Sequence, residues 1–98
     1  MIKNFKNKKL KKLYEGGSGA GLDPNPIEDL EDIMAALEAA TSLGQMNTQG
    51  SDFHELQGTR QGTYAVHVNG PWCVTFEFDG NNATQVDYEQ YHDMKIKR

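Results

Sequence analysis

Two stretches in the second half of the chain alternate apolar and polar residues so regularly that little choice of structure remains. In 63–68, Tyr64, Val66 and Val68 share one side; in Trp72–Phe78, Trp72, Val74, Phe76 and Phe78 do the same. Side chains of a strand point alternately to opposite faces, so each stretch reads as a strand with one face buried. The loop between them sets the register. A two-residue Asn69-Gly70 turn would put His67 opposite Trp72 and mix the faces. A loop of Asn69, Gly70 and Pro71 instead pairs Val68 with Trp72, Val66 with Val74 and Tyr64 with Phe76, which keeps the apolar face whole. It also leaves Pro71, which lacks an N–H, out of the ladder. His67 then lies opposite Cys73 and Ala65 opposite Thr75, on a second face that, with Glu77, is left open to form a site. A turn at Asp79–Asn82 starts a last strand, with Val86 and Tyr88 on the apolar side, running into Tyr91-His92. Phe53–Leu56 reads as one more short strand.

The first half has helical periodicity. Asn7–Glu15 places Leu10, Leu13 and Tyr14 on one face with lysines opposite, and Gly16-Gly17 ends it. The glycine-rich stretch from Gly16 to Gly21 has the wrong spacing for a phosphate loop and follows a helix rather than a strand, so it reads as a connector. Asn25 and Pro26 fit the cap and first position of a second helix. Its apolar residues Ile27, Leu30, Ile33, Met34, Leu37 and Ala40 recur at helical spacing. Glu28, Asp29, Glu31 and Asp32 suit the positive end of the helix dipole and read as a solvated face. Residues 41–50 read as loop, and Met1–Phe5 as a short edge strand. The pattern is an α+β domain spanning 1–98: two helices pack on one face of a mainly antiparallel four- to five-stranded sheet, with a basic segment at 1–12 and a short basic tail at 93–98.

Composition narrows the function classes. One cysteine among 98 residues excludes an intrachain disulfide and a four-cysteine zinc site. No apolar run approaches the roughly 18–20 residues that span a bilayer. No apolar stretch follows the N-terminal lysines as a signal peptide requires, so a cytoplasmic location is expected. Residues 1–12 carry six lysines, whereas 13–92 carry 13 acids and one base, Arg60. An acidic body repels phosphates, so RNA binding has to lean on the termini.

Of the three histidines, His54, His67 and His92, none forms a ligand pair by spacing, so neither a metal nor another cofactor is expected. Tyr91-His92, beside Tyr88, joins an imidazole to a phenol at a strand end, a pairing that serves proton transfer without a metal.

The order of short motifs adds a further constraint. The chain runs Met1-Ile2-Lys3-Asn4-Phe5-Lys6, then Leu37-Glu38-Ala39-Ala40-Thr41-Ser42, Met46-Asn47, His54-Glu55-Leu56-Gln57-Gly58 and Gly62-Thr63-Tyr64-Ala65-Val66. It continues with Val68-Asn69-Gly70-Pro71-Trp72-Cys73-Val74-Thr75-Phe76 and ends on Val86-Asp87-Tyr88-Glu89-Gln90-Tyr91-His92. From Met1 to His92 it resembles the HigB-type plasmid-maintenance killer proteins, toxins of the RelE-like superfamily. The resemblance implies ribosome-dependent cleavage of mRNA. It also implies a cognate HigA-like antitoxin with a helix-turn-helix domain, through which alone operator DNA would be bound. The family usually has His-Pro-Leu-Lys-Gly, Trp-Arg and Asp-Tyr-His. Here His54, Tyr91 and His92 are kept for acid and base roles, while Gln57, Cys73 and Gln90 replace lysine, arginine and aspartate at substrate-contacting positions and Arg60 is the nearby cation. The implied activity is therefore an attenuated, metal-independent endoribonuclease. Its alternative is a catalytically degenerate relative that acts by binding an antitoxin. A ParE-like relative acting on gyrase shares the fold class, but the Tyr91-His92 ending argues against it, and a module binding nucleic acid through the lysine-rich helix alone is the weakest reading.

Overall fold

The computed structural model describes residues 1–19, 21–22, 26–46, 53–69 and 71–90. Its elements are α1 (Lys8–Tyr14), α2 (Ile27–Ala39), α3 (Leu43–Met46), β1 (His54–Glu55), a 3-10 turn (Gly58–Arg60), β2 (Tyr64–Asn69), β3 (Trp72–Asp79) and β4 (Asn82–Gln90). The four strands form one antiparallel sheet in the order β1-β2-β3-β4. The N-terminal segment lies along the far side of β4, bridged in parallel at Ile2–Ala83 and Phe5–Val86; these are two isolated bridges, so the edge strand expected over Met1–Phe5 does not form as a regular strand. Its backbone is stitched on by Lys3 and Lys6 N–H groups donating to the carbonyls of Ala83 and Val86, each at 2.8 Å.

The register expected between β2 and β3 holds at Tyr64–Phe76, Ala65–Thr75, Val66–Val74 and His67–Cys73. It fails at the turn. Trp72 pairs with Asn69, not Val68, because the ladder shifts between His67 and Asn69 and leaves Val68 as the extra residue of a bulge. A second shift lies between Thr75 and Glu77 of β3, where Gln85 and Val86 of β4 together face Phe76. Gln85 takes a left-handed φ of 54°, and Asn4 Oδ1 accepts its N–H at 2.6 Å. The side chain of the N-terminal segment thus satisfies a donor that the bulge takes out of the ladder.

The helices form where their apolar stripes dictate. Asn7 caps α1 by accepting the Leu10 N–H at 2.9 Å, and Gly16 ends the helix at φ 93°, a conformation without penalty only for glycine. Pro26 sits at the N-cap of α2, one position earlier than expected, and the expected cap Asn25 lies outside the described residues. The loop expected over 41–50 contains α3, whose Met46 is fully buried; apolar burial overrides a loop-like composition there. One core fills the space between the helices and the sheet. Leu10, Leu30, Leu37, Val66, Val74, Phe76 and Val86 are at or near zero exposure within it. Glu38 clamps this layer at its rim, since its Oε1 accepts both the Ile2 N–H at 3.1 Å and the Tyr14 hydroxyl at 2.6 Å. Tyr14 therefore keeps its ring partly exposed rather than joining Leu10 and Leu13 in the core.

Candidate active site

The second face of the sheet is built by the same register. His54 stands opposite Ala65, Ala65 opposite Thr75, and Thr75 opposite Asp87, giving one row across four strands. His67, Cys73 and Glu89 form the next row. Directly opposed residues share a face. With strands about 4.8 Å apart, His54 and Thr75, two strands away, are roughly 10 Å from one another at the backbone.

This face is not the open surface that alternation alone suggests. Cys73 and Ala65 are fully buried, and Thr75 is 1% exposed. Leu56, which follows His54 at the spacing that returns it to the same face, closes over Ala65 and Cys73 as a small apolar cluster. The loop that carries it is held down by Leu56 N–H donating to the Thr63 carbonyl at 2.8 Å and Gly62 N–H donating to Glu55 Oε2 at 2.9 Å. His67 remains half-buried and Glu77 exposed at the edges of the plug.

Beside the plug lies an ionic network. Arg60 donates from both terminal nitrogens to Glu89, at 3.2 Å to Oε1 and 2.8 Å to Oε2, and Thr75 Oγ1 donates to the same Oε2. Burial pushes the Glu89 carboxyl up, but the bonds from Arg60 and Thr75 and the charges of Arg60 and Lys6 outweigh it and hold the group below its ordinary range. Arg60 is thereby fixed over the sheet, and with it the turn after Gln57. Lys6, Thr59, Arg60, Gln61, Thr63, Thr75, Glu77 and Gln85 line a polar cleft of about 180 Å³ alongside.

The sequence-derived candidates are distributed unevenly over this surface. His54 is half-buried and its Nε2 is enclosed without a hydrogen-bond partner among the described residues. Gln57 is exposed at the start of the 3-10 turn, where its carbonyl accepts the Arg60 N–H at 3.3 Å. Cys73 is in the plug, its Sγ 3.7 Å from the Pro71 carbonyl. Gln90, exposed at the end of β4, stands opposite Trp72 and therefore on the helix side. Tyr91 and His92 lie outside the described residues. Sequence reasoning missed Glu89, although the register that put His67 opposite Cys73 extends to it. It also missed the placement of Lys6, for which no local pattern gives a signal.

Residues 3–92 match the family described as the RelE-like toxin of type II toxin–antitoxin system HigB. The chain is also 37% identical over 92 residues to the Endoribonuclease HigB of Proteus vulgaris, covering 94% of this chain and all of that protein. The helices on a mainly antiparallel sheet agree with a RelE-like fold. On a match that spans nearly its whole length, the chain belongs to the HigB-like family of RelE-like toxins.

Proposed function

We propose that this chain is the toxin of a type II toxin–antitoxin pair and that it cleaves mRNA on the ribosome, its partner being a HigA-like antitoxin with a helix-turn-helix domain. Membership of the family implies an antitoxin partner; the antitoxin's class and the ribosome are part of the proposal. The observation that carries the catalytic reading is His54: a half-buried imidazole whose Nε2 has no hydrogen-bond partner among the described residues, on the face that also bears Arg60 and Glu89. Cleavage by attack of the 2′-hydroxyl requires a base for that hydroxyl, positive charge near the phosphorane oxygens and an acid for the departing 5′-oxygen. Assigned to this chain, His54 and His92 share the acid and base roles with Tyr91 assisting, while Arg60, fixed by Glu89, supplies charge. Gln57 and Gln90 offer only neutral donors, and Cys73 is withdrawn into the plug. Each missing charged donor at a transition state costs on the order of 10²–10³ in rate, which is the basis for reading the enzyme as attenuated.

Expression in bacteria tests the reading. The parent chain should arrest growth and leave cut mRNA, and a His54→Ala, His92→Ala variant should do neither. Equal behaviour of the two would remove the catalytic assignment.

A further inference from the structure

We propose that the polar cleft between Lys6 and Arg60 is a phosphate subsite, which holds a phosphodiester of the RNA strand adjacent to the one that is cut. This rests on the ribonuclease reading above and adds to it Lys6, which lies in the opening motif and the basic N-terminal segment but has no expected role at the site.

The placement is a product of topology. The parallel bridges at Ile2–Ala83 and Phe5–Val86 carry the N-terminal segment along β4, and Lys6 arrives at the cleft with its backbone N–H tied to the Val86 carbonyl. Its side chain is exposed and forms no ion pair among the described residues. It lines the cleft together with Arg60 and Thr75, and its charge helps hold Glu89 ionised. The cleft, of about 180 Å³, has room for a phosphate group. Its walls carry the hydroxyls and amides of Thr59, Gln61, Thr63 and Gln85, while the Thr75 hydroxyl is already donated to Glu89. Those groups satisfy phosphate oxygens without adding charge. Thr75 at its floor and His54 stand in one row, two strands apart, which is roughly 10 Å. That is the scale of one to two nucleotides, so a strand whose reacting phosphate meets His54 passes its neighbour over the cleft.

Three acids stand near the cleft, and Asp87, opposite Thr75, accepts the Tyr88 N–H at 2.8 Å. Glu89 is neutralised by Arg60 and Thr75 and orders the guanidinium. Glu77 is exposed on the cleft wall and opposes an incoming phosphate. The site is thus built to hold RNA weakly.

The experiment uses the full chain carrying His54→Ala, so that RNA stays uncut, and a fluorescein-labelled single-stranded RNA dodecamer followed by anisotropy from low to moderate salt. Adding Lys6→Gln should weaken binding roughly two- to five-fold, the size of one exposed charge contact. It should also flatten the slope of log K against log salt by about 0.7, one phosphate's worth on a single strand. Glu77→Gln should tighten binding. Lys8→Gln, which removes an equally exposed charge from α1, should change little, and thermal unfolding should show all variants folded. Equal losses for Lys6→Gln and Lys8→Gln would mean diffuse attraction by the N-terminal lysines and overturn the proposal. So would no change in Lys6→Gln, or no binding by the parent. Cleavage of mRNA on ribosomes by the chain with His54 intact is read separately: if it is absent, the nuclease reading falls while the binding comparison still decides whether the cleft takes phosphate.

Discussion

The two faces of the sheet share the same backbone and obey different rules. The helix side is a continuous apolar layer in which Leu10, Leu30, Leu37, Val66, Val74, Phe76 and Val86 exclude water together. The other side has a plug of Leu56, Ala65 and Cys73, with ionised and titratable groups arranged around it. The first face earns stability from area, about 25 cal/mol per Å² buried, and tolerates no gap. The second is held by a few specific contacts whose loss is modest in energy but displaces chemical groups. A substitution on the helix side should therefore unfold the protein and abolish activity as a consequence, whereas one on the second face should separate stability from activity.

The largest expected effect is on the helix side. Phe76→Ala empties a fully buried site and should cost about 3–5 kcal/mol, seen as a fall in the midpoint of urea unfolding. Leu56→Ala, in the smaller plug, should cost about 2 kcal/mol and lower mRNA cleavage further than that loss of folded protein accounts for, because the Gln57–Arg60 turn and His54 lose their support. If Leu56→Ala proves as damaging as Phe76→Ala, the two faces are not energetically distinct.

Glu89→Gln comes next. It breaks a charged fork whose side chains are 35% and 24% exposed, so the loss should be only about 1–2 kcal/mol at neutral pH. Its pH dependence has a definite sign. The folded carboxyl lies below its ordinary 4.5, so the folded state favours the ionised form. That contribution is fully present above the unfolded value and is lost as pH falls through the folded one. Thermal melts of the parent and Glu89→Gln should therefore differ at pH 7 and converge as the pH falls below the ordinary carboxylate value and through the lower folded one. A gap that widens in acid would contradict the network. The smallest expected effect on stability is that of Gln57→Lys at an exposed position, near zero, while the gained cation should raise ribosome-dependent cleavage by about ten-fold or more.

This division also explains what could be read in advance. Alternation in Tyr64–Asn69 and Trp72–Asp79 fixed the strands and most of their register, because a one-residue slip would turn every apolar side chain outward. The bulge at Val68 was not legible, since one extra residue beside a turn leaves the pattern nearly unchanged. Helix α3 was missed for a similar reason: four residues carry too little periodicity, and the burial of Met46 is a tertiary fact. At the site, His54 and Gln57 followed from a motif in a single stretch. Arg60, Thr75 and Glu89 meet through the β3–β4 register and the turn after Gln57, whereas Lys6 joins them only by parallel pairing of the N-terminus with β4, which no local pattern encodes. The openness expected around Cys73 failed because alternation assigns a face but not what covers it; Leu56 does so from the loop.

The account stands on His54 being a catalytic group held by a folded scaffold. The most direct test is cleavage of a defined mRNA on programmed ribosomes by purified parent and His54→Ala proteins, with unfolding midpoints measured in parallel. The account predicts equal midpoints within about 1 kcal/mol and a cleavage rate at least about 100-fold lower for His54→Ala. Equal cleavage by the two proteins would contradict it.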